Sequence, residues 1–188
     1  MTDNMAAAMA RISAIRTTIG AATPARTVAA ATTAASPRFA DLLAKEIDRT
    51  PGSTPTTSSS GAPPGLEGYS NGRIPVDALA PIPGGEFMWG PAAEAFTRMA
   101  DDAARAGITL PVVDAYRPYE DQVRLANELG LYSQGGLAAV PGTSQHGWGR
   151  AIDITLDDEA LAWMRTNAAA YGFHETVPRE PWHWEFHP

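Results

Sequence analysis

Residues 144–153 read S-Q-H-G-W-G-R-A-I-D, and residues 180–186 read E-P-W-H-W-E-F. The first stretch predicts a strand over 150–155, entered from a turn in which glycine lets the backbone fold tightly. Strand side chains alternate. Ile152 and Ile154 therefore point into a core, and Asp153 and Thr155 point the other way. A carboxylate on an otherwise apolar strand needs a partner, because burying it bare is costly. Arg150, a backbone amide or a metal ion could each serve. The second stretch predicts a strand over 183–186. Its alternation puts His183 and Glu185 on one face and Trp182, Trp184 and Phe186 on the other. If His183 shares the face of Asp153, and the H-G-W-G turn brings His146 back over the strand start, two imidazoles and a carboxylate meet. Glu180, just before Pro181, can overhang the remaining position. Three protein ligands, an open place for water and a nearby base are the inventory of a catalytic zinc site.

Composition narrows the alternatives. The chain has 188 residues and no Cys, so thiolate zinc sites and disulfides are excluded. The formal net charge of -7 is unevenly spread: residues 1–66 balance to +2 and residues 67–188 to -9. An acidic domain repels phosphate backbones, so nucleic acid is not an expected partner. No apolar run approaches the roughly 18 residues of a membrane span, and no strong secretory signal is legible.

Aromatic residues draw the expected domain boundary. Fourteen of the fifteen Phe, Trp and Tyr lie after residue 67, so the large core belongs there. Residues 1–49 are Ala-rich and read as a largely disordered tail with one or two short helices. The better of these starts at Ser36 and Pro37 and carries Phe39, Leu42, Leu43 and Ile47 as a stripe. Such a stripe is a candidate for docking a protein partner. Residues 50–66 read as a Pro/Ser/Thr/Gly linker. Beyond it come helices over 92–106 and 118–129, a strand over 110–116, a Gly-rich loop over 131–142, and a helix from Asp157 to about residue 171. Helices and strands mix without a βαβ period, which favours an α+β fold with a small central antiparallel sheet flanked by helices.

The motif S-x-H-x-x-G-x-A-x-D followed by E-P-W-H resembles the signature pair of the zinc D-alanyl-D-alanine carboxypeptidases and dipeptidases. These are LAS metallopeptidases, which share the hedgehog-type zinc fold. A-Y-R-P-Y-E-D-Q at 115–122 is similar to the third signature of that family. The resemblance covers residues 67–188 and leaves the first 66 aside. It implies that His146, Asp153 and His183 bind one Zn2+ per chain and that Glu180 is the catalytic base. It also implies that Arg117 binds an anion, that Ser144 and Gln122 contact substrate, and that Trp182 lines the pocket. Asp114 departs from the small residue common at its position; facing the site, it would pair with Arg117 and reduce its free charge. His174, His187 and Glu175 read as non-ligands, and Glu185 as a residue that orients a neighbouring ligand.

The expected substrate is a peptidoglycan stem peptide, met outside the cytoplasm, from which a C-terminal D-Ala is removed. Two alternatives remain open. One is an endopeptidase cutting within the stem or cross-bridge, and here M-A-R-I-S-A-I-R (residues 9–16) and R-F-A-D-L-L-A-K-E-I-D (residues 38–48) resemble the N-terminal segments of flagellum-associated wall hydrolases. The other is a zinc-stabilised wall-binding module without catalysis.

Overall fold

The computed structural model describes residues 61–188. The tail helices and the expected linker up to residue 60 lie outside the described residues. Within them, the polypeptide forms a two-stranded hairpin, β1 (Ala80–Pro81) and β2 (Phe87–Met88), and then helix α1 (Gly90–Arg105). Strand β3 (Val112–Asp114), helix α2 (Tyr119–Leu129), strand β4 (Ala151–Ile154) and helix α3 (Asp158–Asn167) follow. Strands β5 (Phe173–His174) and β6 (His183–Phe186) complete the chain. The main sheet has the order β3-β4-β6-β5 and every pairing is antiparallel. The class is α+β, as the mixed sequence pattern predicts.

The elements form where local chemistry directs them. Pro91 opens α1 in its first turn, where a missing N–H costs nothing. Asp157 caps α3 by accepting a hydrogen bond from the Ala160 amide at 2.8 Å. That helix ends at Asn167 and tightens into a 3-10 turn over Ala168–Tyr171, short of the continuous helix expected. The β1–β2 hairpin and β5 were not anticipated. Each strand has two residues, too few for alternation to show.

The sheet separates two environments. Ile152, Ile154, Trp184 and Phe186 pack with Phe96, Met99 and Met164 in the main core. The opposite face carries Asp153 and His183, beside a smaller apolar cluster of Leu125, Ala126, Leu131, Ala138 and Trp182. Trp182 thus corrects the expected alternation. It precedes the strand and joins the site-side cluster rather than the core face of Trp184 and Phe186.

The folded unit also begins earlier than the composition boundary. Leu66, assigned by sequence to the linker, is 3% exposed within the main core. The Trp89 indole donates to the Pro64 carbonyl at 3.0 Å. Among the described residues, no helix is long and apolar enough to cross a membrane.

Candidate active site

Register places the central pair. Asp153 on β4 lies directly opposite His183 on β6, so the two side chains share a face. On the other side of β4, Asp153 pairs with Asp114 of β3, where a shift of register between Val112 and Asp114 interrupts simple alternation. This irregularity settles the orientation that sequence left open: Asp114 faces the site.

His146 arrives from the 3-10 turn Gln145–Trp148. Ser144 caps that turn, its hydroxyl accepting from the His146 amide at 3.3 Å. A strap preceding the hairpin clamps the turn from outside. Asn71 donates to the Ser144 carbonyl at 2.7 Å, and the Gly72 amide to the Gly147 carbonyl at 2.7 Å. Gly147 is required there, because a Cβ would sit 2.0 Å from Asn71 Oδ1.

The hydrogen bonds fix which atoms of the triad face inward. His146 Nδ1 contacts the Ala115 carbonyl at 2.7 Å, and a carbonyl can only accept, so Nδ1 carries the proton. In the neutral imidazole Nε2 is then the lone-pair nitrogen. It lies 3.3 Å from Asp153 Oδ1 and 3.2 Å from His183 Nδ1. His183 Nε2 lies 3.2 Å from Glu185 Oε1, and its Nδ1 lies 3.0 Å from Asp153 Oδ1. The three buried side chains bring their ligand atoms within 4.8 Å of one another. Three such donor atoms converging in a buried place could hold a metal ion between them. Two nitrogens and one oxygen are donors suited to zinc, so the residues fit that ion.

Electrostatics point the same way. Burial opposes ionisation of Asp153, but His146 and His183 outweigh it and hold the carboxyl far below the usual range. Burial likewise disfavours charge on His183. Asp153 and Glu185 nevertheless raise its pKa to about 9 when a proton, not a metal, fills the gap. Glu185, lowered to about 2 against the effect of burial, also accepts from His187. Its contact with His183 is where a residue that orients this imidazole would sit. Glu175 instead pairs with Arg165, and His174 and His187 are exposed.

Glu180 is held over the site by a tight turn, with the His183 amide donating to the Glu180 carbonyl at 2.9 Å. Burial raises its pKa above the ordinary carboxylate value. Its Oε2 accepts from the Tyr132 hydroxyl at 3.0 Å, and its Oε1 is buried without a partner. Tyr132 was not singled out from sequence; only its place in a Gly-rich loop could have drawn attention to it.

Arg117 and Gln122 differ from expectation in their engagement. Arg117 Nε donates to Asp114 Oδ2 at 2.6 Å and Nη1 to Gln122 Oε1 at 2.9 Å. Its Nη2 meets Asp114 at 2.5 Å and Asp153 at 3.3 Å. Gln122, read as a substrate contact, donates its amide to the Ala139 carbonyl at 2.8 Å and does not line the cleft. Its position is that of a brace for Arg117. Arg150, the rival partner for Asp153, instead donates to the Phe186 carbonyl at 2.9 and 3.2 Å. Arg117, Ser144, Trp182, Glu180 and the triad all border one cleft of about 170 Å³.

A family model described as D-alanyl-D-alanine carboxypeptidase matches residues 86–188, more than half of the chain. The chain belongs to this family. It is 31% identical to a D-alanyl-D-alanine carboxypeptidase of Enterococcus faecalis, covering 45% of this chain and 43% of that one. It is 33% identical to the putative carboxypeptidase YodJ of Bacillus subtilis, covering 49% and 43%. The chain thus spans less than half the length of these curated relatives. Two solved structures share the fold at 26% identity and a TM-score of 0.50. The vancomycin-resistance D,D-pentapeptidase VanY, solved with Zn(II), is matched over 57% of this chain and 77% of that one. VanYB in complex with D-alanine-D-alanine is matched over 57% and 76%.

Proposed function

We propose that this protein is a zinc-dependent carboxypeptidase that removes a terminal D-Ala from peptidoglycan stem peptides outside the cytoplasm. The observation that carries the reading is the convergence of the His146, Asp153 and His183 ligand atoms in one cleft with Glu180, whose Oε1 has no partner. Family membership supports the substrate class, as do the Zn(II) and D-alanine-D-alanine of the two structural relatives.

His146, Asp153 and His183 would hold one ion. When bound, zinc supplies Lewis acidity at a carbonyl and a nucleophilic water at neutral pH. The work of the chain's own groups follows from their placement. Glu180 accepts the proton of the attacking water at Oε1 and passes it to the leaving amine. The elevated pKa of Glu180 suits both halves of that transfer, since a base poised nearer neutrality also serves as an acid. Arg117, permanently charged, borders the cleft and attracts the terminal carboxylate by its charge, its planar fork being turned to Asp114. Leu125, Leu137 and Trp182 form an apolar wall that keeps bulk water from the reacting bond.

One observation favours the endopeptidase reading as a second possibility. Two carboxylates already engage Arg117, which weakens its pull on a free C-terminus.

Metal dependence tests the leading reading. Treatment with a chelator should abolish turnover of a D-Ala-D-Ala-terminated peptide, and one equivalent of zinc should restore it. Undiminished turnover by fully metal-free protein would refute it.

A further inference from the structure

The Gly-rich loop between α2 and β4 is built as a fixed wall rather than a slack connection. A bridge joins Leu131 to Ala138, and the Ala138 amide donates to the Gly130 carbonyl at 3.0 Å. Gly136 is packed so closely that a Cβ would fall 2.2 Å from the Gly130 carbonyl oxygen. Two side-chain contacts then cross from this loop to the segment that carries Glu180. Arg179 donates to the Gly136 carbonyl at 3.2 Å. The Tyr132 hydroxyl donates to Glu180 Oε2 at 3.0 Å. Tyr132 stands on a 3-10 turn, Tyr132–Gln134, and borders the cleft with 37% of its surface exposed.

The consequence lies in the two oxygens of Glu180. A carboxylate free to rotate presents either oxygen to the cleft. With Oε2 tied to the loop, Oε1 alone is left unpartnered. We infer that Tyr132 is the positioning residue of Glu180: its hydroxyl fixes one carboxylate oxygen so that the other is always the proton acceptor. This rests on the peptidase reading of the site. The tie acts through Glu180 and not through the metal triad, so its loss should change the chemical step and leave metal and substrate binding alone.

Tyr132→Phe in the full-length, zinc-loaded protein tests it. A hydrogen bond to a charged group is worth enough that kcat should fall by roughly 10–100-fold. KM for a D-Ala-D-Ala-terminated peptide should stay within about twofold, and one zinc should remain bound. In a Glu180→Gln background, Tyr132→Phe should cost little further, because the two residues act as one unit. A crystal structure of Tyr132→Phe gives a readout independent of turnover: the Glu180 carboxylate should leave its present rotamer or split between two. An unmoved carboxylate, an unchanged kcat, or a full loss of rate persisting in the Glu180→Gln background would each overturn the inference. If wild-type protein cleaves no peptide while Glu180 still shifts in Tyr132→Phe, the peptidase reading fails and the positioning contact stands.

Discussion

Asp114 and Asp153 lie directly opposite each other on neighbouring strands, and the Arg117 guanidinium joins them at 2.5 and 3.3 Å. Like charges in that relation repel, and both are buried. Burial works against the charge of Arg117, yet Asp114 and Asp153 hold its pKa above the usual value. The guanidinium proposed to attract the substrate carboxylate is therefore partly neutralised before any substrate arrives. Asp114→Asn should release it. A free-acid peptide should then be preferred over its C-terminal amide by a larger factor than in the wild type, and Arg117→Lys should lower that preference through loss of the fork. Competition kinetics on matched acid and amide peptides read both. No change of preference in either variant would detach Arg117 from carboxylate recognition.

The metal assignment makes a graded prediction. His146→Ala and His183→Ala should each bring zinc content close to zero, because three ligands leave none to spare. Glu185→Gln should retain the ion but weaken it about 10–100-fold, as removal of a partner that orients a ligand does. Elemental analysis with competitive chelation distinguishes the steps. Stoichiometric zinc in both His variants would place the ion elsewhere.

Zinc uptake should also move a proton. His183 in the metal-free protein has its pKa raised to about 9, so at pH 7 it is an imidazolium. A ligand must be neutral, hence binding expels that proton. The release should persist at neutral pH and vanish as pH rises through about 9, and apparent zinc affinity should climb over the same range. Calorimetry in two buffers of different ionisation enthalpy measures it. A buffer-independent heat at pH 7 would contradict the electrostatic picture.

Leu66→Ala probes the domain boundary. Leu66 is nearly fully buried, and replacing a buried Leu by Ala typically costs about 2–5 kcal/mol. Chemical denaturation should show a lowered midpoint with an unchanged slope. Wild-type stability would return Leu66 to the linker. Removal of residues 1–66 takes Leu66 with it, so a truncation meant to preserve the fold should stop at residue 60.

The meeting of His146, Asp153 and His183 was legible from strand alternation, whereas the roles given to Glu180, Arg117 and Ser144 rest on the family resemblance. Asp153 betrayed itself as a carboxylate on an apolar strand, and His183 alternates with the core residues Trp184 and Phe186. What escaped the sequence depends on long-range placement. Asp114 turns inward only through a register shift in β3. Gln122 braces Arg117 because α2 sets its side chain between the Arg117 guanidinium and the Ala139 carbonyl. Tyr132 meets Glu180 across 48 positions of sequence, with no periodic signal linking them. Trp182 failed the alternation test because it lies in the turn before β6, where strand geometry has not begun.

The most direct test is mass spectrometry of a stem pentapeptide ending in D-Ala-D-Ala, incubated with zinc-loaded wild type and with Glu180→Gln. The wild type should yield the tetrapeptide and free D-Ala. Glu180→Gln should keep its zinc and form the same products about 10²–10⁴-fold more slowly, the usual contribution of a general base. Cleavage at an internal bond, or a variant rate within about tenfold of wild type, would contradict a carboxypeptidase driven by Glu180.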